Sequence, residues 1–341
     1  MRASSRYLND DGRLSPKAGE ALVQGIRSLR PEIGQRITEL EQILDAAPPQ
    51  GPVGERLAFE KDAVGTLFDI TGLDRDAIEE WQDPVVGSGN ISVPFLEGLT
   101  NSRIIEDQQI VHDYHRFPGM DGSDTLQLGW RVYTPSGGTS LPRQQLFIYN
   151  ANRTQLEHDM GLDLLYYNEP CHSLVMVQYK RMRAEKSGWV YRRDRSIDKE
   201  LARMREVDRI CQGAETGADP RLVATPSVVK LCRTTPFAMN STKLIPGMYL
   251  TRSHFEAILH HSDSVGPNKG IRIREGGVPR YLNNTTFTTL VRDGWIGSRG
   301  TSTDYLIEQI RQSLSPHGPG SVVVGVHRSI DPPGNRRRDR W

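Results

Sequence analysis

Residues 161–182 read Gly161-Leu-Asp-Leu-Leu-Tyr-Tyr167, then Asn168-Glu-Pro-Cys-His-Ser173, then Leu174-Val-Met-Val-Gln-Tyr-Lys-Arg-Met182. Two runs rich in aliphatic and aromatic residues flank a short polar connection that contains proline, the pattern of a β-hairpin. A hairpin symmetric about the Pro170–Cys171 bond sets Asp163 opposite Gln178. Directly opposed residues on one face hold their Cβ atoms about 4.5–5.5 Å apart. Side chains alternate along a strand, so Gln178 and Lys180 share a face. An acid, an amide oxygen and an ammonium then converge on one patch, which suffices to hold a hard divalent cation beside a phosphate. Leu174–Val177 is apolar at every position, as expected of a central strand rather than an edge.

An acid, a hairpin and then Gln178-Tyr-Lys180 resemble the PD-(D/E)xK nuclease superfamily, and the Gln-x-Lys form resembles the Mrr-type restriction endonucleases. The upstream segment Asn150-Ala-Asn-Arg-Thr-Gln-Leu-Glu157 is similar to the place where that superfamily often carries a further acid. Leu162, not proline, precedes Asp163. The resemblance spans roughly residues 145–182, and more loosely reaches to about 235. It implies a restriction-endonuclease-like α/β fold with a mixed sheet core, and a Mg²⁺- or Mn²⁺-dependent phosphodiesterase acting on DNA, with RNA not excluded. It implies Asp163 as the principal metal ligand, Glu157 as a second or outer ligand, and Gln178 as a neutral oxygen donor. It further implies that Lys180 orients the nucleophilic water or stabilises the pentavalent phosphorus. These roles suit the chemistry: Mg²⁺ takes one or two carboxylates plus phosphate oxygens and keeps several waters. The setting it suggests is defence against foreign DNA. A catalytically silent nuclease-fold protein, binding nucleic acid or serving as a regulatory subunit, uses the same residues; metal-dependent cleavage separates the two. Asp163 and Lys180 are both expected at a solvent-facing strand end.

A basic stretch follows at once. Lys180, Arg181, Arg183, Lys186, Arg192, Arg193 and Arg195 face only Glu185 and Asp194 in sequence, with Trp189 and Tyr191 interleaved. Arg181, Arg183, Lys186, Arg192 and Arg193 are therefore candidates to track a phosphate backbone, with the aromatics stacking on exposed bases. A solvated charged connection is the plainer reading of the same run. The tail Arg336-Arg-Arg-Asp-Arg340 is basic too.

Net charge is only +1, so the charge is segregated rather than excessive. Residues 55–83 are acidic: Glu55, Glu60, Asp62, Asp69, Asp74, Asp76, Glu79, Glu80 and Asp83 outweigh Arg56, Lys61 and Arg75. This segment reads as a solvated face or a surface for a protein partner or self-association. Cys171, Cys211 and Cys232 form neither a zinc pattern nor a disulfide framework, which suits a reducing cytoplasm. No apolar run is long enough for a membrane span, and no signal peptide is expected. Without Gly-x-x-x-x-Gly-Lys-Ser/Thr or Gly-x-Ser-x-Gly, nucleotide hydrolysis and serine-hydrolase chemistry are disfavoured. His112-Asp-Tyr-His115 is a weak metal candidate, and Asn283-Asn-Thr-Thr286 reads as a helix cap.

The expected organisation has three regions: a mostly helical 1–120, a nuclease-like core over 121–250 and a mixed α/β region over 251–341 with a basic tail. Helices are expected from Pro16, bent or broken at Pro31, then over 53–70, 75–81, 197–211, 252–260, 285–291 and 303–314. Strands are expected over 125–134, 144–149, the 161–182 hairpin, 227–233 and 321–326.

Overall fold

The computed structural model describes residues 16–44, 51–79, 81, 95–99, 131–133, 144–150, 162–186, 188–212, 221–233, 238, 241–266, 269–299 and 322–329. Glu157, the His112/His115 pair, the helix expected at 303–314 and the 336–340 tail lie outside these residues. The chain divides into compact units at residues 1–48 and 49–341. The three regions expected from sequence do not coincide with these units, because segments of all three contribute to one sheet-centred body.

The first unit holds α1 (Pro16–Leu29) and α2 (Pro31–Leu44). They break at Arg30 because proline at 31 lacks an N–H and disfavours helical geometry in the residue before it. Leu22, Leu29 and Ile33 stay exposed.

In the second unit come α3 (Gly51–Thr71), the short α4 (Asp76–Glu79), β1 (Arg131–Tyr133), β2 (Gln144–Asn150), β3 (Leu164–Asn168), β4 (Ser173–Glu185) and β5 (Gly188–Arg192). Then follow α5 (Ile197–Gln212), β6 (Ser227–Arg233), β7 (Gly247–Thr251), α6 (Arg252–Leu259), β8 (Arg272–Arg274), α7 (Asn284–Arg292) and β9 (Val323–Ser329). Asn283 caps α7 through a 2.8 Å bond from the Thr286 N–H, as the sequence suggested.

One mixed sheet runs β1-β2-β9-β3-β4-β6-β7. The β9–β3 and β4–β6 pairs are parallel and the rest antiparallel. Strand β4 is long enough to serve two neighbours on one edge. Its first half pairs with β3 and its last four residues pair with β5, while β6 occupies the other edge across Met176–Met182. Strand β8 then adds to β5.

Helices cover both faces, giving three layers. On one face α3 and α7 pack Leu57, Val64, Leu67, Phe68, Phe287 and Val291 against Leu164, Tyr166, Val175, Val177, Tyr179 and Tyr249. On the other, α5 and α6 pack Ile197, Leu201, Met204, Phe255 and Leu259 against Met182, Tyr191, Val229, Leu231 and Leu250. Approach of α3 to the sheet requires glycine at 325, where a Cβ would lie 2.4 Å from Leu67 Cδ2.

The helical part of the acidic segment, residues 55–71, is not the solvated face that its composition suggests, although Asp74 and Asp76 beyond it are exposed. Glu60 Oε2 accepts from the Phe95 N–H at 2.6 Å, and Asp62 Oδ1 accepts from the Ile245 N–H at 2.6 Å. Asp62 Oδ2 also binds Lys230 Nζ from β6, and both side chains are 0% exposed. The Lys230 ammonium sits 5.3 Å from the Tyr179 ring centroid and 4.9 Å from that of Tyr249. Segment 55–71 is therefore a core helix whose acids answer specific donors, because α3 lies directly on the sheet.

Candidate functional site

The hairpin register is the one read from symmetry: Leu164 pairs with Val177 and Asn168 with Ser173. Asp163 extends the ladder by one residue, donating its N–H to Val177 O at 3.0 Å and accepting from the Val323 N–H at 3.0 Å. Asp163 therefore lies across from Gln178, and alternation puts Lys180 on the same face.

The β3 pairing stops at Val177 and the β5 pairing starts at Met182, so among the described residues the β4 edge over 178–181 has no strand partner on this side. The Asp163 carboxylate substitutes for one: its Oδ2 accepts from the Tyr179 N–H at 2.6 Å and from Gln178 Nε2 at 2.7 Å. Gln178 also donates to the Tyr179 carbonyl at 3.3 Å. The amide thus presents nitrogen to Asp163, where the metal-ligand role needs oxygen. Rotating the terminal amide by half a turn would exchange the two atoms, and the exchange becomes favourable when a cation replaces the lost donor.

Lys180 departs from expectation. It is buried, not solvent-facing, and lies under the start of α5. Its Nζ is 2.5 Å from Glu200 Oε2 and 3.2 Å from Asp194 Oδ2. Asp194 is shared: its Oδ1 caps α5 through the N–H groups of Ser196 and Ile197 at 3.1 and 2.9 Å, and its Oδ2 also accepts from the Tyr191 hydroxyl at 3.2 Å. Burial works to raise the Asp194 carboxyl, but Lys180 and the donors of Ser196 and Tyr191 hold it below the usual range. The site is thus two linked halves, Asp163–Gln178 and Lys180–Glu200–Asp194. Glu200 was missed because an acid in the first turn of a helix ordinarily answers only the macrodipole.

The donor set is hard: a carboxylate and a carboxamide, with Glu157 outside the described residues. It suits Mg²⁺ or Mn²⁺ better than a soft metal. No group of three His, Cys, Asp or Glu residues able to hold a metal occurs among the described residues.

The basic stretch splits. Arg181 pairs with Glu55 at 2.6 Å, Arg192 forks onto Glu185 at 2.8 and 3.0 Å, and Arg193 meets Asp198 at 2.5 Å. Arg183 and Lys186 are exposed and have no ion partner among the described residues. Alternation along β4 sends Arg181 and Arg183 to the face opposite Lys180. The run that reads as one patch in sequence therefore serves two faces.

Comparison of the chain with protein-family models, with curated proteins and with solved structures finds no match in any of the three.

Proposed function

We propose that this α/β protein is a metal-dependent nuclease of the restriction-endonuclease-like class, cutting DNA in defence against foreign sequences from a cytoplasmic location. The observation that carries this reading is the placement of Asp163 opposite Gln178, with Lys180 on the same face, at the point where β4 changes partner. Asp163, Gln178 and Glu157 would hold Mg²⁺ or Mn²⁺, which supplies charge neutralisation at the phosphate and a more acidic bound water. Lys180 holds a fixed positive charge beside them. Glu200 and Asp194 keep its ammonium oriented, so that it acts as a preorganised cation rather than a mobile one.

The test is incubation of the purified protein with plasmid and with single-stranded DNA, in Mg²⁺, in Mn²⁺ and in EDTA. Cleavage is expected with either metal, and none in EDTA. Asp163→Asn retains an acceptor for the Tyr179 N–H but removes the anionic ligand. It should fold and lose cleavage by about a hundredfold or more, the scale of losing one strong transition-state interaction. Metal-independent cutting, or full activity in Asp163→Asn, would refute the assignment.

A second reading has its own support. Lys180 is already paired with two acids, and Gln178 turns its nitrogen to Asp163. A nuclease-fold protein that binds nucleic acid without cutting it, as part of a larger complex, uses this closed arrangement as it stands. The exposed Leu22, Leu29 and Ile33 on α1 and α2 support a protein partner or self-association through that unit. Tight binding of DNA with no cleavage in either metal would favour this reading.

A further inference from the structure

Strand β8 brings two cations that the 180–195 run does not contain. Arg192 pairs with Arg272 and Val190 with Arg274, while Val190 also pairs with Arg183 on β4. The register Met182–Tyr191 continues one step to set Arg181 beside Arg192. Arg181, Arg192 and Arg272 thus form one cross-strand row, and Arg183, Val190 and Arg274 the next. The rows share one face, with strands about 4.8 Å apart and successive rows about 6.7 Å apart.

Like charges set directly opposite one another destabilise a ladder. Glu55 and Glu185 contact Arg181 and Arg192 directly, and the Glu185 charge is also felt by Arg272 and Arg274. Arg183, Arg272 and Arg274 have no carboxylate partner among the described residues, and Arg272 Nε is buried without a hydrogen bond. The hydrogen bond from Arg192, opposed by a little desolvation, with the added charge of Arg272 and Arg274, holds the Glu185 carboxyl below its usual range. Arg181, Arg183, Arg192, Arg272 and Arg274 thus outnumber Glu55 and Glu185, and the array carries an excess of positive charge.

We infer that this arginine face of β4, β5 and β8 docks the phosphate backbone of double-stranded DNA without reading its sequence. Guanidinium forks match phosphate oxygens in pairs, and two rows in one plane suit a repeating anion better than a single one. The only apolar residue in the rows, Val190, is 1% exposed, so the face lacks the anchor that a protein interface or a membrane surface requires. Single strands are held chiefly by stacking on aromatic rings. Trp189 and Tyr191 alternate to the opposite face, where both pack on the α5–α6 core. The interleaved aromatics of the sequence are thus withdrawn from the arginines, and backbone contact remains.

This inference shares with the proposed function only the nature of the ligand. The arginines lie on the face away from Asp163 and Lys180, so binding and cutting can be tested separately. The experiment is fluorescence anisotropy in EDTA, with a labelled duplex and the corresponding single strand, over a salt series. Wild type is expected to bind duplex more tightly than the single strand. Arg272→Ala/Arg274→Ala should weaken duplex binding about tenfold or more near physiological salt and lower the log–log salt slope by about 2, since each phosphate contact contributes about 0.9. Arg183→Glu/Arg274→Glu, at exposed positions, repeats the test where truncation of Arg272 disturbs the strand. An unchanged slope in both folded variants, or preference for the single strand, overturns the inference. Loss of cleavage with this binding intact would instead count against the proposed function alone.

Discussion

Lys230 offers the sharpest test of how the body is held together. Its ammonium and the Asp62 carboxylate are both 0% exposed, and together they join β6 to α3 through the centre of one face. Lys230→Met keeps the stem and the packing on Tyr179 and Tyr249 but strands a buried carboxylate. Asp62 would retain only the Ile245 N–H, at 2.6 Å. Removing one partner of a buried pair costs about 3–5 kcal/mol, whereas replacing both with neutral groups is often close to harmless. Asp62→Asn keeps an oxygen for Ile245, so Asp62→Asn/Lys230→Met should recover at least about 2 kcal/mol of the summed single losses. Against a typical stability of about 5–15 kcal/mol, the single loss is large. Urea denaturation followed by circular dichroism should show the midpoint falling by about 1–1.7 M if the slope is near 3 kcal/mol/M. Burial alone would lower the Lys230 pKa, but Asp62 and the neighbouring Tyr249 and Cys232 raise it above the ordinary lysine value. The pair's contribution is therefore complete below the unfolded lysine pKa, about 10.4, and is lost only as pH rises through the higher folded value. The destabilisation should accordingly be the same at pH 6.5 and 8.5. A Lys230→Met loss below about 1 kcal/mol, or strict additivity in the double variant, would show that the pair does not couple α3 to the sheet.

Other outcomes follow from named contacts. Lys180→Met should abolish cleavage and also lower stability by about 1–3 kcal/mol, because Glu200 loses a partner at 2.5 Å under α5; an unchanged urea midpoint would contradict the buried pairing. His327 is buried with Nδ1 3.0 Å from the Tyr166 hydroxyl, and desolvation lowers its pKa to about 4. An unfolded imidazole takes its proton near 6.5, so stability should fall as pH drops from about 6.5 towards 4, by up to about 3 kcal/mol. His327→Gln should flatten that part of the pH profile of the urea midpoint. Gly325→Ala should cost about 1–3 kcal/mol by thrusting a methyl into Leu67, 2.4 Å away; a melting temperature equal to wild type would mean that α3 can retreat.

The hairpin was legible because its pattern is local. Apolar residues on both sides of a short polar tip fix the pairing, and pairing fixes which side chains meet. The β6 strand over 227–233 and the helices at 197–212, 252–259 and 284–292 were visible for the same reason. What remained hidden depends on partners distant in sequence. Nothing near Asp62 announces that its cation is Lys230, so an acid that belongs to the core looks like one that belongs to water. Strand β8, three residues long, has no periodicity to detect, yet it completes the arginine rows. Strand β5 was concealed by its own charges, since Arg192 and Arg193 made the segment resemble a solvated connection. Within the candidate site, Asp163, Gln178 and Lys180 were found from spacing, but the two acids holding Lys180 come from the α5 cap and first turn.

Strand β9 separates β2 from β3 and pairs with both. It comes from residues 323–329, far downstream of the segments it joins. During synthesis, β3 and β4 can close on each other as soon as they emerge, but the other edge of β3 waits until residues 323–329 have been made. Such non-local pairing is slow to form, and an open edge is a template for wrong partners meanwhile. The Asp163 carbonyl accepts its bond from Val323, so the backbone of the candidate site is not fully tied until β9 arrives. An incomplete chain on the ribosome would hold every side chain of the hairpin while lacking the clamp that fixes them, so that maturation of the site is timed by the order of synthesis.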